Sequence, residues 1–222
     1  MTRYLLILSV LVFLTCMCLS AQSNQPPANK AWQAAAAEAN SVLPHDGHDG
    51  LTVSADPYVD KARGKEKFGK ANPLEAGILP VEVFLRNDTQ VPIQVNINTI
   101  QLEVRLRKGG KQDVDWLSAA DVAALIAHPG GVAPSQPRRV AGIPLPSGDK
   151  KADKLTEILQ PFTLDADTVP PMHTLHGFLF FDVNHDTSLA STAVLYIPDV
   201  VQIPSKKALM FFEVNLAKPA EP

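Results

Sequence analysis

The C-terminal third of the chain consists of short β-branched and aromatic runs with no helical segment between them. His176-Gly-Phe-Leu-Phe-Phe-Asp-Val183, Thr192-Ala-Val-Leu-Tyr-Ile197 and Ala208-Leu-Met-Phe-Phe-Glu-Val-Asn-Leu216 are divided only by Asn184-His-Asp186 and by the stretch from Pro198 to Pro204. Side chains of these types pack well on a pleated surface, and the breaks carry turn chemistry. Parallel neighbours would need long crossovers, for which these gaps have no room. The pattern predicts antiparallel strands in packed sheets.

Upstream, Val81, Val83 and Leu85 alternate with Glu82, Phe84 and Arg86, Asn87-Asp88 makes a turn, and Ile93, Val95 and Ile97 resume the alternation. The phase shifts at Asn98-Thr99 before Ile100, Leu102, Val104 and Leu106, which predicts a bulge or a strand that changes sheets. Gly109-Gly110 marks a hairpin turn toward Val114 and Trp116. Three helices fit the remaining patterns. Asp56-Pro57 reads as cap and first turn of a helix over Tyr58 to Phe68 that stops at Gly69. Ser118-Ala-Ala-Asp121 reads as a capping box opening a helix that ends near His128. Asp149 to Gln160 has Leu155, Ile158 and Leu159 on one face, placing that helix across the sheets. The expected core includes Val83, Leu85, Val95, Leu102, Phe180 and Phe212, with Leu179 and Phe181 turned under a helix or loop.

The N-terminus has a different character. Arg3 precedes the apolar run Tyr4 to Leu14, followed by smaller and more polar residues through Cys18-Leu-Ser-Ala-Gln22, the layout of a secretory signal. The run is shorter than the roughly 20 residues that span a bilayer. Cleavage after Ser20 or Ala21 is expected, giving an exported chain, periplasmic or secreted. The alternatives are a membrane anchor through lipid on Cys16 or Cys18, or through an uncleaved signal. Both cysteines fall in this segment, so a cleaved chain has neither disulfide nor thiol nucleophile. The expected organisation is signal peptide 1–21, flexible tether 22–50, one β-sandwich domain 51–217 and tail 218–222.

Leu79-Pro-Val-Glu-Val-Phe-Leu-Arg-Asn-Asp-Thr-Gln-Val-Pro-Ile93 and the later Pro170-Pro-Met-His-Thr-Leu-His-Gly-Phe-Leu-Phe-Phe-Asp182 resemble segments of small exported bacterial proteins built on immunoglobulin-like β-sandwiches. The first is similar to the strand, Asn-rich turn and strand where such domains begin, the second to the proline-led strand near their end. The resemblance covers residues 79–216 in outline and implies a mainly β, immunoglobulin-like antiparallel sandwich with two or three short helices. It implies no catalytic residues, and the Cys pair and strand-C Trp of antibody domains are absent.

His45-Asp46-Gly-His48-Asp49 offers two imidazoles and two carboxylates for a divalent metal. Asp-Gly pairs are ordinary turn residues and the spacing matches no standard zinc pattern, so the turn reading is favoured. Asp182-Val-Asn-His-Asp186 opens like a calcium loop, but Thr187 stands where glycine is required and Ala193 where the bidentate Glu belongs. Lys61, Arg63, Lys65, Lys67 and Lys70 read as a solvated helix face. The proline-rich connection 129–148 carries Arg138-Arg139, the expected partner-binding residues. A formal net charge of −3 argues against a nucleic-acid partner. No nucleophile elbow, phosphate loop or dinucleotide glycine motif occurs. The expected function is a non-enzymatic cell-envelope binding or structural module without cofactor, its partner an envelope protein or polymer and its contacts on loops or a strand edge. The alternative is a metal-binding protein or metal-dependent enzyme using His45 and His48.

Overall fold

A computed structural model describes residues 43–105, 109–129 and 149–217. The signal segment with Cys16 and Cys18, most of the tether, the connection carrying Arg138 and Arg139, and the tail lie outside the described residues. The strands are β1 (His45–His48), β2 (Leu51–Pro57), β3 (Ile78–Asn87), β4 (Ile93–Val95), β5 (Gln101–Arg105), β6 (Lys111–Leu117), β7 (Thr168–Val169), β8 (His173–Asp182), β9 (Val194–Ile197), β10 (Val200–Gln202), β11 (Lys207–Ala208) and β12 (Phe212–Asn215). The helices are α1 (Lys61–Phe68), α2 (Ala119–Ala127) and α3 (Lys150–Leu159).

Eight strands form one antiparallel sheet, ordered β1-β2-β3-β8-β6-β5-β9-β12, and a smaller sheet runs β11-β10-β4-β7. The mainly β, antiparallel character with a few short helices is as expected. The arrangement differs from two facing immunoglobulin-type sheets, because the large sheet curls until β1 and β12 approach each other and almost closes a barrel. The small sheet covers it, so that Ile93, Val95, Val169 and Val200 share one core with Leu51, Val53, Val83, Leu85, Leu102 and Phe212. A second cluster lies on the outside of the large sheet, where the three helices pack on Ile78, Phe178 and Phe180.

This division corrects the expected sides of β8. Leu179 and Phe181 face the barrel interior, whereas Phe178 and Phe180 lie under the helices. All four are buried, because β8 is covered on both faces, by the barrel interior on one and by the helices on the other.

The sheet also includes residues before the expected domain start at Leu51. The segment read as the end of a tether is β1, paired with β2 through Asp46↔Val53 and His48↔Leu51. Asp49 and Gly50, at φ 49° and 79°, form the tight two-residue turn that folds the chain back, since both positions need positive φ. Asp56-Pro57 does not start a helix: Pro57 ends β2 opposite Val81, and Asp60 caps α1 by accepting from the Ala62 N–H at 2.7 Å. The Ser118 capping box is present, with the Asp121 N–H donated to Oγ at 3.2 Å. On α3 the buried stripe is Ala152, Leu155 and Leu159, and Ile158 is 41% exposed beside it.

Two segments divide between the sheets. The chain leaves β4, turns through a 3-10 turn at Ile97–Thr99 and enters β5 in the barrel, which is the expected change of sheet. The run Ala208 to Leu216 is not one strand. Leu209 donates its N–H to Val200 O at 2.8 Å in the small sheet, whereas Phe212 pairs with Ile197 in the barrel.

Candidate functional site

The residues singled out as metal ligands lie where the barrel almost closes. Alternation along β1 turns Asp46 and His48 to one face and His45 and Gly47 to the other, so the two imidazoles diverge. Asp46 Oδ2 accepts the Glu213 N–H at 2.9 Å, and His48 Nε2 lies 3.2 Å from Phe211 O. The imidazole stacks on Phe212 at 3.9 Å between centroids with 8° between planes, and its Nδ1 lies 3.2 Å from Asp49 Oδ2. Contacts that step forward from 46 to 48 step back from 213 to 211, the antiparallel sense of every other neighbour pair in the sheet. The seam is thus bridged by side chains that stand in for a carbonyl and an N–H. Among the described residues, no three His, Cys, Asp or Glu side chains gather as a metal site.

A second gathering of ionisable groups lies between the barrel wall and α1. Glu82 on β3 is 7% exposed, although its strand neighbours on both sides are apolar. Its Oε2 accepts the Tyr58 hydroxyl at 2.9 Å, while Oε1 lies 3.5 Å from His176 Nδ1 on β8 and 3.6 Å from Lys67 Nζ on α1. Burial pushes the carboxyl up, but the His176 contact, the Lys67 charge and the Tyr58 hydrogen bond outweigh it and hold Glu82 below the ordinary value. Tyr58 is pushed up to about 12, first by burial and then by the neighbouring Glu82 charge. Arg63 lies 3.7 Å over the Tyr58 ring and pairs with Asp56, and Lys67 lies 5.2 Å from the Phe178 centroid. Two of the five residues expected as a solvated basic face, Arg63 and Lys67, therefore fasten α1 to the wall. The sequence signal was Glu82 itself, a carboxylate between Val81 and Val83 opposite an aromatic run.

The outer face of the small sheet holds an open cleft of about 510 Å³, lined by Gln94, Asn96, Asp167, Pro198, Asp199 and Val201 among others. Cross-strand pairing sets Ala208, Val201, Gln94 and Thr168 in one row across β11, β10, β4 and β7. Gln94 Nε2 donates to Asp167 Oδ2 at 3.2 Å, and Asn96 Nδ2 donates to Asp199 Oδ2 at 3.4 Å. The Thr168 hydroxyl donates to Asp167 Oδ1 at 2.9 Å. Backbone bonds from the Val95 N–H to Asp167 O at 2.7 Å and from the Asn96 N–H to Asp199 O at 2.9 Å fix both acidic loops against β4. None of these residues stood out in the sequence, because the two aspartates lie far from β4 along the chain.

His176 stacks on Phe84 at 5.6 Å, and His173 Nδ1 turns to Pro171 O at 2.6 Å. The calcium-like segment is a turn, in which Asp182 accepts the Asn184 N–H at 2.9 Å and Asp186 caps the 3-10 turn Thr187–Thr192. Among the described residues no helix is long and apolar enough to cross a membrane.

No protein-family model and no curated protein matches this chain. A solved structure of a functionally unknown protein from Listeria monocytogenes EGD-e is similar over 72% of this chain and 71% of its own, with 12% sequence identity and a TM-score of 0.33.

Proposed function

We propose that this chain works outside the cytoplasm as a non-enzymatic binding module of the cell envelope, in the setting of the small exported immunoglobulin-like proteins it resembles. The observation that carries this reading is the cleft on the small sheet, where side chains able to hold a ligand stand on a rigid wall facing solvent. The two gatherings of ionisable groups support it, since the Glu82 cluster and the Asp46–His48 seam each fasten one element to another. The layout of residues 1–21 supports the exported setting.

The test is capture. The chain without residues 1–21, immobilised and exposed to envelope extract, is expected to retain a protein or polymer that Val201→Arg, which fills the cleft, releases. Capture indifferent to Val201→Arg would move the binding surface elsewhere. Fractionation of the full chain with cytosolic markers would remove the envelope setting.

A further inference from the structure

Resting on the binding role proposed above, we infer that the small-sheet cleft takes a neutral, hydroxyl-rich chain, a glycan, lying across β4 and β10. The polar groups there come as carboxylate–amide pairs, Asp167 with Gln94 and Asp199 with Asn96. An ionised carboxylate has about four acceptor positions, so each aspartate keeps lone pairs for an incoming O–H beyond those its partners use. Each amide nitrogen keeps a second N–H beside them. A sugar hydroxyl donates and accepts at once, and such a pair meets both needs within one hydroxyl's reach.

The apolar lining answers the other half of a sugar ring. Pro198, Val201 and Ala208 flank the polar pairs and offer a surface to ring C–H groups. The volume, about 510 Å³, falls in the roughly 300–1,000 Å³ range of small-ligand sites and leaves room for a short oligosaccharide stretch. Among the described residues, Asp167 and Asp199 are the charged groups that line the cleft, with no lysine or arginine beside them, which disfavours phosphate- or uronate-bearing polymers by like-charge repulsion. The wall is also held still: Asp167 and Asp199 are tied to β4 through their own backbone carbonyls, so their carboxylates are placed before a ligand arrives.

The test titrates neutral oligosaccharides, the chito- and cello-series, against the chain without residues 1–21. Binding is expected, changing little between about 50 and about 500 mM salt, as befits a neutral ligand. Asp167→Ala and Asp199→Ala are each expected to weaken it by about tenfold, the loss of a hydrogen bond or two to a charged group, and Val201→Arg to abolish it. Glycan binding untouched by these three substitutions would overturn the site. Binding only of cationic peptides, lost as salt rises, would overturn the ligand class. Failure of every glycan while envelope capture stays sensitive to Val201→Arg would overturn the glycan and leave the binding role standing. Failure of both would remove the two together.

Discussion

The Asp46 carboxylate accepts the Glu213 N–H at 2.9 Å across the seam where β1 meets β12. What β12 needs there is an acceptor, and an amide oxygen supplies one as well as a carboxylate does. Asp46→Asn is therefore expected to cost little, and Asp46→Ala to cost about 1 kcal/mol, the usual net worth of one hydrogen bond, at this half-exposed site. Urea denaturation gives the energies, and amide exchange at Glu213 locates the effect. Equal damage from Asn and Ala would show that the charge, rather than the acceptor, holds the seam.

Glu82 links stability to acid. Its carboxyl is held below the ordinary value in the folded chain, so its contribution is complete above the unfolded carboxylate range and is lost as pH falls through the lower folded value. Glu82→Gln is expected to flatten the acid limb of the stability profile. Glu82→Ala should cost about 2 to 3 kcal/mol, because Lys67 and Tyr58 lose their common partner. An acid limb identical to wild type in Glu82→Gln would place the responsible carboxylate elsewhere.

The alkaline side belongs to Tyr58. With its phenol pushed from 10.0 to about 12, the protonated hydroxyl stabilises the fold fully below the lower value and loses that effect as pH rises toward the upper one. Tyr58→Phe is expected to lower stability near neutral pH and to remove the part of the alkaline decline between those values. Titration of the phenol by its ultraviolet absorbance near pH 10 in the native chain would contradict this.

Gly177 on β8 is a matter of space. A Cβ there would sit 2.7 Å from both the N and Cα of Leu164, backbone atoms that cannot swing aside, and the Leu164 N–H is bonded to Phe178 O at 3.0 Å. Gly177→Ala is expected to destabilise by about 1 to 3 kcal/mol, as crowding in a packed interior does. A thermal midpoint at or above wild type would show that the 163–164 segment gives way freely.

Phe180 tests the helical layer. It is fully buried under α1, α2 and α3, and Phe180→Ala is expected to cost about 3 to 5 kcal/mol. Phe181→Ala should cost a similar amount from the opposite face of the same strand, with its disturbance in near-ultraviolet and exchange signals confined to the barrel interior.

Alternation made the strands and most of the interior legible: Val83, Leu85, Val95, Leu102, Phe180 and Phe212 are all fully buried. Local capping chemistry revealed Ser118 and the Gly69 stop for the same reason, since both act within a few residues. Periodicity cannot reveal which layer a two-faced strand offers to which neighbour, and so Leu179 and Phe181 lie on the barrel side and Phe180 on the helix side, the reverse of the expectation. Nor can it show that a polar pair such as Asp46 and His48 borrows its partners from a segment more than 160 residues away. The cleft was illegible because Asp167 and Asp199 reach Gln94 and Asn96 only after the small sheet has formed.

The passage of one segment from β4 into β5 has a kinetic consequence. Gln94 stands on a strand that continues, one short turn later, as a stave of the barrel, so the cleft cannot fold over a guest without bending the wall behind it. A ligand at the site proposed above would therefore enter and leave quickly, because no closure has to precede either step. Single contacts of this kind are expected to be brief. On a repeating polymer, where one release leaves the next repeat within reach, brief contacts add up to lasting attachment.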